Sequence, residues 1–460
     1  MSFHFSRTPV DTAPIETIYR RIATPLPVPE SLPLLDDLAA VETRAMHGQM
    51  PIVWDRAKDF QVWDRWGNCW IDFTSTIFVA NAGHANDHVI SALRQALDAE
   101  LLHSYNYATE IRARYLTALV AAMPPHVDKA YLMSTGTEAT EAAFRLMRIH
   151  GQRRGKGPGV IAFEGSYHGR TLGAALMSGD AASRDWIRYE DPHVHRLAFP
   201  FGSDSDNVDW HAVFHGELDA LAAQGVDPKR DIAGLMLESY VGWAAAFFPR
   251  AYVDAVAAFA RENGILLAFD EVQAGFGRTG RLFAFQHYDV EPDLICCGKG
   301  IGSGFPLSAL VGRGEILDLP ETGILSSTHS ANPLGCAAGL ATLEEFEHRD
   351  LVAAAERKGR LLLDRLRALQ SRFPNRIDRV NGRGLVAALI FRDPETGAPD
   401  SDTPSRICEE VMRRGVLLVH TGRESIKFGP PLTIEEAAIE EGLDVLAEVM
   451  NEICLPGPRP

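Results

Sequence analysis

The chain is poor in cysteine, with six in 460 residues (Cys69, Cys296, Cys297, Cys336, Cys408 and Cys454) and no CxxC pair among them. That spacing fits neither a disulfide framework nor a zinc site, so reduced thiols are expected. The 16 histidines contain no HExxH pattern. His193 and His195, beside Pro192, read as loop residues, and no metal site is expected. No apolar run approaches the ~18–20 residues needed to cross a bilayer, which excludes a membrane-spanning helix. The first ten residues, with His4 and Arg7, lack the apolar stretch of a secretory leader, so a cytoplasmic location is expected. Positive charge is also short: 45 Lys+Arg against 61 Asp+Glu leaves a net charge of −16, with no Lys/Arg run longer than the Arg153-Arg154 pair. A surface of that kind offers no footprint for phosphate backbones or anionic membranes.

What is present belongs to a globular protein: 46% hydrophobic and 23% charged residues, and enough length for two or three domains. Prolines at 9, 14, 25, 27, 29 and 33 predict a mostly extended lead-in over residues 1–50, with at most a short helix from Ile15 to Arg21. Alternating Val53–Arg56, Phe60–Asp64 and Cys69–Phe73 predict a β-meander within 51–80. Val89, Leu93 and Leu97 then recur at helical spacing. From about 110 to 320, helical patterns alternate with short apolar runs: Ala130–Met133, Gly159–Phe163, Ile232–Leu237, Ile265–Phe269, Leu294–Cys296 and Ala309–Val311. Such alternation predicts an α/β fold with a mainly parallel sheet buried on both faces, whose ligands sit at the carboxyl ends of the strands. Ser203–Asn207 reads as a polar loop. A helical tract from Ala337 to Leu369, strands at Leu385–Phe391 and Val416–Val419, and helices at Pro404–Arg414 and Ile434–Ile453 predict a smaller α+β domain.

Two strand ends carry chemistry. Ile265–Phe269 runs into Asp270-Glu271-Val272-Gln273, and Leu294–Gly298 runs into Lys299 followed by Gly300. Glycines admit close approach of a ligand, and a partly desolvated lysine has a lowered pKa and forms Schiff bases. An aspartate for a pyridinium proton and a lysine for an aldehyde are what a pyridoxal 5'-phosphate site requires. Ser134-Thr135-Gly136-Thr137-Glu138, at a strand-to-helix junction, supplies the N–H groups of an anion site.

Together these motifs resemble the class III (omega-type) aminotransferases of pyridoxal-phosphate fold type I, from about residue 50 to the C-terminus. The match rests on Ser-x-Gly-Thr-Glu-Ala at 134–139, Gly165-Ser166-Tyr167-His168-Gly169-Arg170-Thr171, Asp270-Glu271-Val272-Gln273 with Gly275–Gly280, Gly298-Lys299-Gly300 with Phe305-Pro306, and Thr328-His329 before Asn332-Pro333. The resemblance implies a large domain over 81–330, and a small domain formed by the β-meander and 331–460. It implies a ping-pong transfer from an amine, amino sugar or omega-amino acid to a 2-oxo acid such as pyruvate or 2-oxoglutarate. In that reading Lys299 is the Schiff-base lysine and proton shuttle, and Asp270 pairs with the pyridinium. Gln273 lies near the ring oxygen, Tyr167 stacks on the ring, and Gly136 and Thr137 hold the phosphate. Glu238 is an acid beside the cofactor. Thr328 reaches the phosphate of a partner subunit's cofactor, which implies a homodimer.

The chain departs from the family at one switch. A gating glutamate is replaced by Trp243, and the arginine it pairs with, before Pro430-Pro431-Leu432, by Lys427. Lysine lacks the bidentate fork that grips a carboxylate. With Phe78, these residues are assigned to the substrate pocket, which favours an amine or amino-sugar donor, or a short acceptor, unless Lys427 itself binds a carboxylate. The same fold also hosts decarboxylases, racemases, aminomutases and lyases. A more distant rival is a dinucleotide-dependent oxidoreductase, because Gly275-Phe276-Gly277-Arg278-Thr279-Gly280 matches GxGxxG in form.

Overall fold

The computed structural model describes residues 3–202 and 207–454, so most of the expected loop at 203–207 lies outside the described residues. The chain divides into two compact units. The larger spans Asp87–Gly242 and Ala246–Val352; the smaller collects Met1–Asn86, Trp243–Ala245 and Ala353–Pro460.

The larger unit is organised around seven strands: β1 (Lys129–Met133), β2 (Gly159–Phe163), β3 (Val194–Leu197), β4 (Ile232–Glu238), β5 (Leu266–Asp270), β6 (Leu294–Cys297) and β7 (Ser308–Gly312). They lie in the order β1-β7-β6-β5-β4-β2-β3. Neighbours from β6 through β3 are parallel, while β7 runs antiparallel to both β6 and β1. Strands β2, β4, β5, β6 and β7 are buried at every residue, which is why they read as unbroken apolar runs. The edge strand β3 was missed as a loop: His195 and Arg196 are only half-buried, and the strand reads Val-His-Arg-Leu. Its register with β2, from Val160↔Val194 to Phe163↔Leu197, places His195 inside the sheet.

Helix α1 (Gly136–Arg153) packs on this sheet through Ala139, Ala142, Ala143, Leu146 and Met147, an i, i+3, i+4, i+7, i+8 stripe. The stripe joins Met236, Ala268, Cys296 and Leu310 in one core. The helical tract from Ala337 to Leu369 is in fact two helices, Pro333–His348 and Leu351–Arg372, broken where Asp350 adopts φ 47°. Residues 331–352 fall in the larger unit, which corrects the expected boundary at 330/331.

In the smaller unit, Arg56–Lys58, Gln61–Trp63 and Cys69–Asp72 form the antiparallel meander. The lead-in is more structured than its prolines suggested. Ile15–Glu16 and Arg21–Ile22 form a hairpin where a helix was expected, and Leu32–Val41 is a helix. Pro33 sits in the first turn of that helix, where proline removes no hydrogen bond. Val416–Leu417 adds in parallel to Cys69–Asp72. A second antiparallel sheet contains Ile377–Arg383, Val386–Phe391, Ser425–Phe428 and Val419–His420. Among the described residues no helix is long and apolar enough to cross a membrane.

Candidate active site

The carboxyl ends of five strands in the larger unit meet at one cavity of about 300 Å³. Asp270 and Glu238 are the last residues of adjacent parallel strands and stand opposite each other in register. Two carboxylates are thus held side by side at the sheet edge. Lys299 follows β6 by two residues and reaches the same cavity. Its backbone is left-handed, φ 43°, a conformation costing on the order of 1 kcal/mol for a residue with a side chain. Burial pushes its ammonium below the ordinary lysine range, while the charges of Asp270 and Glu238 oppose that shift.

Asp270 is buried and fully oriented. Its Oδ1 accepts the Val272 N–H at 3.0 Å, and its Oδ2 lies 2.8 Å from His168 Nδ1. A carboxylate accepts about four hydrogen bonds, so capacity remains toward the cavity. Glu238 accepts the N–H of Tyr167 at 3.0 Å and of Gly242 at 3.3 Å. Burial raises its pKa to about 7 and Asp270 reinforces the rise, while the N–H groups of Tyr167 and Gly242 counter it.

The anion end is built at the start of α1. Glu138 turns back to accept the N–H groups of Ser134 and Thr135 and the Thr135 hydroxyl. The N–H groups of Gly136 and Thr137, in the helix's first turn, have no carbonyl to bond within it, and they point into the positive end of the helix dipole. The Thr137 hydroxyl is tied to Thr171 Oγ1 at 2.8 Å, so Thr137 offers its backbone rather than its side chain. Gly136 and Gly298 enclose Val272: a Cβ on Gly136 would lie 2.6 Å from Val272 Cγ1, and one on Gly298 3.0 Å from it. Tyr167 and Gln273 also line the cavity, the tyrosine ring 48% exposed.

These groups fit pyridoxal 5'-phosphate: helix-end N–H donors for a phosphate, a spare carboxylate face for a pyridinium, an amine for an aldehyde and an aromatic wall. A larger surface depression, about 820 Å³, lies between α1 and Ile324–Ser327; its Lys156 ammonium is already engaged by the Lys229 carbonyl.

Among the lining residues that received no role from the sequence, two carry ionisable side chains. His168 and Arg170 both stand in the motif at 165–171, but the motif gives no clue to their partners. Arg170 is exposed at the cavity rim, its guanidinium 5.7 Å from the Tyr167 ring centroid and without a carboxylate partner among the described residues. Thr328 is exposed and does not line the cavity. The three residues assigned to the substrate pocket all lie in the smaller unit. There the Lys427 ammonium, buried, stacks 4.2 Å from the Phe78 ring centroid, and Arg423 covers the Trp243 ring at 4.0 Å. Ser425 Oγ donates to the Trp243 carbonyl at 2.9 Å.

The glycine-rich run 275–280 forms turns closed by Gly277 N–H to Leu282 O and Gly280 N–H to Gly277 O. No helix opens on it, so the dinucleotide reading loses its structural basis. Glu271 anchors the segment that follows the run, accepting the Ser239 hydroxyl and the N–H groups of Ala284 and Phe285.

Comparison with known proteins agrees with this chemistry. The family profile described as Aminotransferase class-III matches residues 43–450. The 4-aminobutyrate aminotransferase of Mycobacterium tuberculosis is 33% identical over 450 residues, covering 94% of this chain and 98% of that protein. A leucine/methionine racemase of Thermococcus litoralis is 31% identical over 420 residues, covering 88% and 91%. Among solved structures, the taurine:2-oxoglutarate aminotransferase from Bifidobacterium kashiwanohense, in complex with PLP and glutamate, superposes with a TM-score of 0.83 at 25% identity, over 92% of this chain and 98% of that one.

Proposed function

Since this chain belongs to the class III aminotransferases, pyridoxal-phosphate enzymes that move amino groups between amines and 2-oxo acids, we propose that its donor is an omega-amino acid or related primary amine, with Lys299 as the catalytic base. The supporting observation is the convergence of Lys299, Asp270 and Glu238 on a cavity closed at its other end by the first turn of α1. When bound, the cofactor supplies an aldehyde that condenses with amines and a protonated ring that withdraws electrons. Asp270 would hold the ring proton with its remaining lone pairs. The Gly136 and Thr137 N–H groups would hold the phosphate, Tyr167 would cover a ring face, and Gln273 would serve the ring oxygen. Lys299 Nζ, kept toward the neutral amine by burial, takes the proton from the donor carbon and returns it on the far side of the transfer. Glu238, with a pKa of about 7, stores or releases a proton near the operating pH.

Arg170 supplies the carboxylate contact. Its planar fork suits a carboxylate, and among the described residues no carboxylate pairs with it at the rim. Lys427, enclosed against Phe78, is a poorer candidate for that duty, so carboxylate-bearing substrates are selected chiefly by Arg170. The functional unit is a cytoplasmic homodimer in which Thr328 reaches the phosphate of a second copy. The exposed Leu102 (58%), Tyr107 (80%) and Ile324 (48%) support such a covered face, and sedimentation velocity tests it.

The deciding experiment follows the absorbance of the cofactor as the enzyme is mixed with terminal amines, amino sugars, 4-aminobutyrate, glutamate and alanine, then with pyruvate or 2-oxoglutarate. Conversion by 4-aminobutyrate and recovery by a 2-oxo acid are expected. Reaction with glutamate and alanine alone would refute the donor assignment. The kinship to a racemase keeps one second reading open: inversion of an amino acid with no 2-oxo acid consumed would replace transamination.

A further inference from the structure

The His168 side chain is fully buried and, among the described residues, makes one side-chain hydrogen bond, Nδ1 to Asp270 Oδ2 at 2.8 Å. Its Nε2 is buried and has no hydrogen-bond partner among those residues. Its backbone is fastened at both ends: its N–H donates to Ser178 Oγ at 2.9 Å, and its carbonyl accepts from Thr140 Oγ1 at 2.7 Å. Ser178 Oγ in turn donates to the Ala174 carbonyl at 2.8 Å. The backbone that carries the ring is therefore fixed beside the aspartate.

The two ring nitrogens have unequal surroundings. An ionised carboxylate only accepts, so the proton of the 2.8 Å contact sits on Nδ1. A second proton on Nε2 would place an unpaired charged N–H in the interior, the costliest kind of orphan. We propose that His168 is a neutral positioning residue, protonated on Nδ1 only, that fixes the Asp270 carboxylate while leaving its negative charge undiminished toward the cavity. A doubly protonated ring would cancel that charge, and a ring without the Nδ1 proton would repel it. The pair thus carries one net negative charge, matched to one pyridinium proton. This inference rests on the pyridoxal-phosphate reading of the cavity.

Two measurements test it. In the parent apoenzyme labelled with ¹⁵N-histidine, the His168 signals are expected to show one protonated and one bare nitrogen at neutral pH; two protonated nitrogens would overturn the proposal. The second is the dissociation constant of pyridoxal 5'-phosphate from apoenzyme, read by fluorescence quenching. H168N keeps a donor amide near the Nδ1 position and is expected to bind within about threefold of the parent. H168F fills the space without a donor, and its affinity is expected to fall about ten- to hundredfold, as for loss of one hydrogen bond to a charged group. Equal affinity of H168F and parent would refute the positioning role. Failure of the parent itself to bind the cofactor would instead refute the reading on which the inference rests.

Discussion

Gly136→Ala isolates how tightly the anion end is built. Gly136 has no left-handed φ, so alanine meets no backbone strain there and brings the helix-propensity gain of about 0.5–1 kcal/mol over glycine. Against this stands Val272. The new Cβ would lie 2.6 Å from its Cγ1 and 3.0 Å from its Cγ2, about 1 Å inside the carbon–carbon optimum. Val272 is β-branched and backs onto the core of the larger unit, so the clash is relieved by strain, at about 1–3 kcal/mol. The net expectation is a loss of about 1 kcal/mol, or roughly 1–2 °C in the melting temperature of the apoenzyme, with weaker cofactor binding because the Gly136 and Thr137 N–H groups move. The same change in a Val272→Ala background behaves differently. Only the residue-272 Cβ remains, 3.4 Å away, which is ordinary contact. There G136A becomes neutral or stabilising, and the coupling between the two sites is about 2 kcal/mol. Calorimetry on the four proteins of the cycle, with and without pyridoxal phosphate, measures this. An equal effect of G136A in both backgrounds would refute the steric account.

Lys299→Ala is expected to fold as the parent does by circular dichroism, yet to show no half-reaction with any donor in stopped-flow absorbance. Arg170→Ala is expected to raise KM for carboxylate-bearing donors and 2-oxo acids by about tenfold or more while leaving a plain terminal amine almost unaffected; a uniform effect on all substrates would argue against carboxylate binding there. Glu238, raised from 4.5 to about 7 by burial, binds its proton more tightly folded than unfolded, so its contribution to stability is full below pH ~4.5 and is lost as pH rises to ~7. The stability of the parent relative to Glu238→Gln should therefore fall by about 3 kcal/mol across that window in denaturant titrations. Glu271, raised to about 7 as well, is common to both proteins and cancels. A flat difference would place the Glu238 titration elsewhere.

Strand ends were the most legible part of the site, because burial on both faces leaves an apolar run and the first polar residue after it is conspicuous. Asp270, Glu238 and Lys299 all stand out in this way. The pairing of His168 with Asp270 had no such signal: 102 residues separate them, and only the order β5-β4-β2 brings their loops together. Arg170 was hidden for another reason, since an unpaired rim arginine has the same local sequence as an ordinary surface one. Prolines misled twice. They obscured the helix Leu32–Val41, which tolerates Pro33 in its first turn, and Pro192 disguised the approach to β3. The strand Ile377–Arg383 was missed because Asn381 and Gly382 break its apolar alternation, and Ser425–Phe428 because four residues are too short a run to stand out.

The smaller unit has a consequence for synthesis. Its strand Cys69–Asp72 is completed by Val416–Leu417, and the buried Trp70 donates its Nε1 proton to the Met412 carbonyl across 342 residues. At ~5–20 residues per second a ribosome takes roughly 20–70 s to deliver that partner. During this interval one edge of the strand is unpaired, the Trp70 ring lacks the part of its cover that Met412 and Leu417 supply, and Phe73 lacks Phe428, a configuration that invites pairing between nascent chains. Yield in a heterologous host is therefore governed by how well the emerging N-terminal segment is shielded until translation is nearly finished. A chain ending before residue 412 would carry the exposed strand permanently.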